Sequence, residues 1–331
     1  MCNNDLIWSG SPAQLRRQSL HCNYLICQIL DYGQEFPRLR SAAAAKPWFP
    51  RMRRQSRPTH RVIDPNEECV LMTSEEGEIF FKSPSDEPKV CGIYMVAEPD
   101  KRIQLVFDYL DVPCENGGLV AWVDGWELNG QVWPADDWSD DRLVESCGQR
   151  PQRRLVSRQN AALVQYRVPA RGKGFSITIR HVRNPWPCNV MLYGAEGVYT
   201  LRNHGEAKNC SIITVSPSIV KVVSLDVGQL VKAHSALELE TGTIHRCTKR
   251  GLADYVVIGG ASGLDNTKME AYDSVCGLDS TEGRPIYVAC ENTIAQLVST
   301  GRFFDSVTLA FSPLPLEELE HADLMCGLND L

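Results

Sequence analysis

The sequence predicts an all-β protein of two tandem β-sandwich (jelly-roll) domains stapled by disulfides, and three observations carry that prediction. The first is an ordered cysteine series. Ten of the thirteen cysteines, Cys69, Cys91, Cys114, Cys147, Cys188, Cys210, Cys247, Cys276, Cys290 and Cys326, form a pattern that repeats. Cys69 and Cys91 are 22 positions apart, and so are Cys188 and Cys210. A wider pair follows each, Cys114 with Cys147 and Cys247 with Cys276, and Cys290 with Cys326 is added in the second half. The spacing reads as disulfides closing loops in two related domains, with the connectivity open because ten cysteines allow many pairings. The second observation is an internal repeat: Gln159 to Ile179 lies without a gap on Glu291 to Phe311, which places Asn160 on Asn292. The third is period-two alternation, seen where Phe175, Ile177 and Ile179 fall on Val307, Leu309 and Phe311, the mark of a strand with one buried face.

Residues 1–60 read as an atypical, disordered leader and linker. Met1 to Gly10 has no basic stretch before an apolar core, and the apolar candidate Cys22 to Leu30 is interrupted by Asn23 and Gln28. Ser41 to Pro65 is Ala-rich, then rich in Pro and Arg, without period. Arg51-Met52-Arg53-Arg54 has the form of a dibasic processing site or of a solvated linker, and Cys2, Cys22 and Cys27 lie upstream of it. The first domain, 61–183, carries strand signals at Glu78 to Lys82, Val90 to Val96, Ile103 to Tyr109, Leu119 to Asp124, Ala162 to Val168 and Phe175 to Arg180. Two prolines, Pro185 and Pro187, punctuate the start of the second domain, 184–331. Its signals fall near Val198 to Leu201, Ser211 to Val215, Val220 to Leu225, Tyr255 to Ile258, Pro285 to Val288, Ile294 to Ser299 and Val307 to Phe311, before a tail tethered through Cys326. Helical periodicity is nearly absent.

Composition narrows the function classes. A chain of 331 residues, 43% hydrophobic and 23% charged, is ordinary globular material. A formal charge of −7 argues against nucleic acid as a partner, since neutralising phosphates takes clustered Lys and Arg. No run of about 18 apolar residues occurs, so membrane insertion by a helix is not expected. Paired cysteines over loops of this length belong to an oxidising compartment, so the chain is expected outside the cell, secreted. Asn209-Cys210-Ser211 is an N-glycosylation acceptor consistent with export.

The run Cys114-Glu115-Asn116-Gly117-Gly118-Leu119-Val120-Ala121-Trp122-Val123-Asp124-Gly125-Trp126, with Glu145-Ser146-Cys147, Ser157-Arg158-Gln159-Asn160 and Gly174-Phe175, resembles a CUB domain. With Pro187-Cys188-Asn189-Val190, Asn209-Cys210-Ser211, Asp254-Tyr255-Val256, Gly263-Leu264-Asp265, Lys268-Met269 and Cys290-Glu291-Asn292-Thr293, the chain is similar to the corticotropin-releasing-factor-binding protein family from about Glu67 to Leu328. The resemblance implies two CUB-like domains in a secreted, non-enzymatic glycoprotein that sequesters a CRF-like peptide hormone, in an invertebrate a CRF-like diuretic hormone, and so limits receptor activation. It also implies pairing of consecutive cysteines, Cys69 with Cys91, Cys114 with Cys147, Cys188 with Cys210, Cys247 with Cys276 and Cys290 with Cys326. The alternative is a CUB-type adhesion or assembly module for protein or glycan partners. Many CUB domains bind calcium through acids that here are replaced near Gly117 and Gly118 and in Val168-Pro169-Ala170-Arg171, so no calcium site is expected in the first domain. Around Cys69, where vertebrate members place basic residues, this chain has Asp64-Pro65-Asn66-Glu67-Glu68.

Other motifs are weighed against plainer readings. Val256 to Asp265 imitates a dinucleotide-binding turn, but it lies between Cys247 and Cys276 among strand signals rather than in a βαβ unit, so a glycine-rich strand exit is expected and no cofactor. The seven histidines form no zinc arrangement and Gly-x-Ser-x-Gly is missing, so no enzyme is expected. Arg150, Arg153, Arg154 and Arg158 read as a solvated basic edge or as an anion-binding strip. In Trp133-Pro134-Ala135-Asp136-Asp137-Trp138-Ser139-Asp140-Asp141, indoles stand among carboxylates. Trp133 and Trp138 would anchor an amphipathic hormone beside Asp136 and Asp137, or else a Trp covers the end of its own sandwich.

Overall fold

Alternation at Ile103, Leu105 and Phe107 turns one face of a twelve-residue strand inward, and the first half is built around that face. The computed structural model describes residues 59–63, 69–87, 89–135, 139–149, 153–194, 196–228 and 241–326, all within one unit running from Arg57 to Leu331. The leader, with Cys2, Cys22, Cys27 and Arg51 to Arg54, lies outside the described residues, as does Asp64 to Glu68.

The first half holds β1 (Thr59–Val62), β2 (Val70–Thr73), β3 (Gly77–Lys82), β4 (Val90–Val96), β5 (Lys101–Val112), β6 (Leu119–Val123), β7 (Trp126–Leu128), β8 (Gln131–Trp133), β9 (Leu143–Ser146), β10 (Gly148–Gln149), β11 (Arg153–Val156), β12 (Ala161–Arg167) and β13 (Gly174–Arg183). They form two main layers. One is ordered β1-β3-β13-β5-β10 with β11 also on β5, the other β2-β4-β12-β6-β9, and β7 and β8 make a separate hairpin. Between the layers Phe81, Tyr166 and Phe175 meet with ring centroids 4.5, 5.6 and 5.0 Å apart. Ile93, Leu105, Val164 and Ile177 fill the same core. Each such buried side chain stabilises the fold by about 1.5–3 kcal/mol.

The second half holds β14 (Asn189–Leu192), β15 (Gly197–Arg202), β16 (Cys210–Thr214), β17 (Ser218–Val227), β18 (Gly242–His245), β19 (Tyr255–Ala261), β20 (Glu270–Asp279), β21 (Ile286–Ala289), β22 (Asn292–Val298), β23 (Ser306–Pro313) and β24 (Leu324–Met325). Its order β14-β16-β22-β19-β20 repeats β2-β4-β12-β6-β9, and each series opens with a parallel pair. Likewise β15, β23 and β17 stand in the places of β3, β13 and β5. Here the layers are continuous, because β17 pairs with β23 and, at Leu225 to Val227, with β20, giving one sheet of 11 strands. A second core gathers Val220, Leu225, Ile258, Leu297 and Leu309. The protein is thus all-β, two cored halves in tandem that repeat one strand order.

Among the described residues five disulfides close, Cys69–Cys91, Cys114–Cys147, Cys188–Cys210, Cys247–Cys276 and Cys290–Cys326. Each adds about 2–4 kcal/mol by restricting the unfolded chain. Two of them tie down edges: Cys69 directly precedes β2 and bonds Cys91 on its neighbour β4, and Cys188 does the same for β14 through Cys210 on β16. A four-residue edge strand has few ladder bonds of its own, so the bridge next to its first residue holds the register.

Strands with clear alternation lie where the sequence places them. The ten-residue β20 carries no alternating signal, its residues running one partly buried, two exposed, one partly buried, four buried and two partly buried. It is held by ladders to β17, β18 and β19 rather than by its own pattern. The helical elements among the described residues are short 3-10 turns, the longest Leu316–His321.

Candidate functional site

Between Asp124 and Cys147, the described residues Asp124, Trp133 and Pro134 are gathered on an arginine. Arg142 is 1% exposed, and its guanidinium donates to the carbonyl oxygens of Asp124 at 2.7 and 2.9 Å, Trp133 at 3.0 Å and Pro134 at 2.6 Å. Inside this clasp β7 and β8 pair Trp126 with Trp133. The Trp126 indole N–H donates to the Met95 carbonyl at 3.0 Å, and Tyr94 meets its ring edge-on at 5.2 Å. Burial, with the Glu127 carboxylate nearby, pushes the Tyr94 phenol up to about 12, so it stays a donor, to the Glu127 carbonyl at 3.0 Å. Trp133 is 0% exposed. The expectation that it anchors a ligand at the surface is therefore corrected: its indole is closed off from solvent in the hairpin whose backbone Arg142 clasps. Asp136, Asp137 and Trp138 lie outside the described residues.

The same hairpin reaches the second half. Its turn, Asn129-Gly130, has both φ values positive (52° and 77°), as a two-residue hairpin requires. That dipeptide is the sequence signal that marks the hairpin, and the period-two reading passes over it. From the hairpin, Gln131 Oε1 accepts from the Asp265 amide at 3.0 Å. A Cβ on Gly263 would come within 2.1 Å of that side-chain oxygen. The glycines of this stretch thus answer to close packing: a Cβ on Gly260 would meet Cys290 Sγ at 2.5 Å, and one on Gly259 the Glu270 carbonyl at 2.1 Å. β19 lies antiparallel between β20 and β22, and the following turn Asn266–Lys268 is three residues long, so the stretch is a strand exit with no helix to receive a phosphate.

A second seam between the halves runs through Asn160, which is 1% exposed. Its amide donates to the carbonyls of Ala97 at 2.9 Å and Met191 at 2.7 Å, and its oxygen accepts from the Met191 amide at 2.9 Å. Asn292, at the same place in the repeat, donates to the Gly263 carbonyl at 2.9 Å.

Beside the Asn160 seam lies a cavity of about 240 Å³ lined by Arg61, Met72, Thr73, Ser74, Glu75, Val96 and Tyr193. Both halves contribute. Met72 and Thr73 come from the end of β2, Val96 from the end of β4, and Tyr193, 48% exposed, follows β14. Asn160 holds Ala97, next to Val96, and Met191, two residues before Tyr193, so one buried amide sets the distance between two walls. A thioether and an exposed phenol beside a guanidinium and a carboxylate can seat an amphipathic segment. None of these residues stands out in the sequence, because a single Met or Tyr at a strand end carries no period.

The basic edge divides. Arg158 pairs with Asp141 at 2.9 Å and Asp124 at 3.6 Å, so it braces the loop instead of offering a free charge. Arg154 is exposed on β11, while Arg150 and the Arg153 side chain lie outside the described residues. In the loop after Cys114, Arg167 Nη1 donates to the carbonyls of Asn116 at 3.0 Å and Gly117 at 2.9 Å, which puts a fixed cation against those oxygens. Among the described residues no group of three or more His, Cys, Asp and Glu side chains is placed to hold a metal ion. Asn209 is exposed directly before β16.

Two family models match the chain: the corticotropin-releasing factor binding protein N-terminal domain over residues 62–183 and the corresponding C-terminal domain over residues 190–320. The human corticotropin-releasing factor-binding protein is 30% identical over 259 residues, 76% of this chain and 77% of that protein. The Xenopus laevis protein of that name is 29% identical over 74% of this chain and 76% of its own length, and the Ovis aries protein 28% identical over 91% and 94%. Among solved structures, the CUB1-EGF-CUB2 domains of rat MASP-1 are 14% identical, with 73% of this chain and 99% of that one covered and a TM-score of 0.27.

Proposed function

The chain belongs to the corticotropin-releasing factor-binding protein family, and from that premise we propose that it is a secreted protein that captures a CRF-like peptide hormone and performs no chemistry on it. The observation that carries this reading is the pair of family models, which together span both cored halves. Capture lowers the free hormone in proportion to binder concentration over Kd and so limits receptor activation by competition. In an invertebrate the ligand is a CRF-like diuretic hormone. We place the two domains at 61–183 and 184–331, with residues 1–60 dispensable for capture.

The groove at Met72 and Tyr193 is the seat we assign to the peptide. It supports the reading because it draws on both halves and combines apolar anchors with one charge of each sign, which suits an amphipathic helix laid into a groove. Calorimetric titration of the oxidised chain with a synthetic CRF-like peptide, with and without EDTA, tests the function. Saturable binding untouched by EDTA is expected, and no binding by a chain carrying all five disulfides would leave the adhesion or assembly role in its place. For the seat, Tyr193→Ala and Met72→Ala are each expected to weaken binding about tenfold, the cost of truncating a central anchor. Unchanged affinity in both variants would move the peptide elsewhere.

A further inference from the structure

We infer that folding of the second half closes the glycosylation site at Asn209, so that the sugar is added only while Cys188 and Cys210 are still unpaired. The inference rests on passage through the secretory compartment, and its first ground is where the three acceptor residues stand. Asn209 is exposed, so the fold has room for a glycan once it is attached. The next two residues are sealed: Cys210 and Ser211 are both 0% exposed. Cys210 is bonded to Cys188. The Ser211 hydroxyl donates to Asn189 Oδ1 at 2.7 Å, and its amide donates to the Cys188 carbonyl at 3.0 Å. On either side Ser211 is paired in the sheet, with Asn189 of β14 and Gln296 of β22.

Transfer of the sugar needs that hydroxyl, because the acceptor is recognised as Asn-x-Ser/Thr. In the transfer, Asn209 Nδ2 forms a bond to the anomeric carbon of a lipid-pyrophosphate-linked oligosaccharide. The carbon–oxygen bond to pyrophosphate breaks, the electron pair leaves with the lipid pyrophosphate, and one amide proton is released. In the folded chain Ser211 already donates its proton within the sheet and cannot be presented to the transferase.

The competing step is oxidation of the two thiols. Cys188 and Cys210 give up two electrons and two protons to a disulfide-bearing oxidoreductase, which leaves as a dithiol. The two cysteines are close in sequence, so their bridge can form as soon as Cys210 is available. β22 follows only about 80 residues later, on the order of 4–16 s at about 5–20 residues per second. The disulfide is therefore the first lock and the sheet the second.

The test is occupancy of Asn209 in the full chain recovered from the combined lysate and medium of cultured cells, read by mass spectrometry after enzymatic deglycosylation in heavy-oxygen water. Partial occupancy is expected in the native chain, rising to near completion in Cys188→Ser, whose acceptor triplet is intact, and when dithiothreitol is present during synthesis. Neither readout requires the variant to fold. Folded, sugar-free protein offered to the transferase with its lipid-linked donor should stay unmodified, and the reduced, unfolded chain should be modified. Equal occupancy in all three conditions, including complete or zero occupancy throughout, overturns the inference, as does modification of the folded protein. Peptide binding is not read here, so the outcome leaves the hormone-capture reading untouched.

Discussion

Arg142 is a cation with 1% of its surface exposed, and its guanidinium gathers the carbonyls of Asp124, Trp133 and Pro134. Arg142→Met preserves length and apolar stem but strips those carbonyls of their donor. The expected loss is about 2–4 kcal/mol, read as a lower urea midpoint, since each buried carbonyl left unpaired costs about 1–3 kcal/mol. Asp305 gives a pH dependence. Burial raises its carboxyl above the ordinary 3.8, against the lowering effect of hydrogen bonds from Ser299 and the Gly228 amide. A carboxyl whose folded value is raised contributes stability that is complete below 3.8 and is lost as pH climbs through the folded value. Asp305→Asn should therefore flatten the fall in guanidinium midpoint on going from pH 4 to neutral pH, and a slope equal to that of the native chain would remove Asp305 as its source. At this scale sequence reading reaches the type of side chain but not its depth. Trp133 and Trp138 look alike in the chain, and only the Arg142 clasp explains why Trp133 is inside.

β19 shows how an element imposes composition. Gly260 abuts the disulfide sulfur of Cys290, which cannot move, whereas Gly263 abuts the end of the Gln131 side chain, which can. Gly260→Ala is expected to destabilise by about 1–3 kcal/mol through overpacking, and Gly263→Ala by less, the ordering to be read from thermal melting. Equal melting temperatures for the two would contradict the packing reading of the glycine run. Strands such as β5, β13 and β23 are legible because alternation is a property of the strand itself. β20 is not, since its stability comes from ladders to three other strands. The short edge strands β2 and β14 escape for the same reason, their register being held by bridges to β4 and β16.

Across the whole molecule polar bonds join the two halves at Asn160 to Met191, where they are buried, and at Gln131 to Asp265, where the bond is partly buried. Asn160→Ala leaves the Met191 amide and carbonyl and the Ala97 carbonyl short of a partner, and it frees the two walls of the groove to separate. Peptide affinity is expected to fall about tenfold while both cores stay folded, and the Met191 amide to lose protection in hydrogen exchange. Retained protection with weakened binding would assign Asn160 some other part. The all-β class, the twofold repeat and the spacing of the ten cysteines are properties of the sequence by itself, because alternation and spacing are local and survive without knowledge of neighbours. Which residues face solvent and which segments meet were decided by tertiary structure. Tyr193 is outside and Trp133 inside, and Val96 faces Tyr193 across the Asn160 seam, because exposure and adjacency depend on what the other half of the molecule covers.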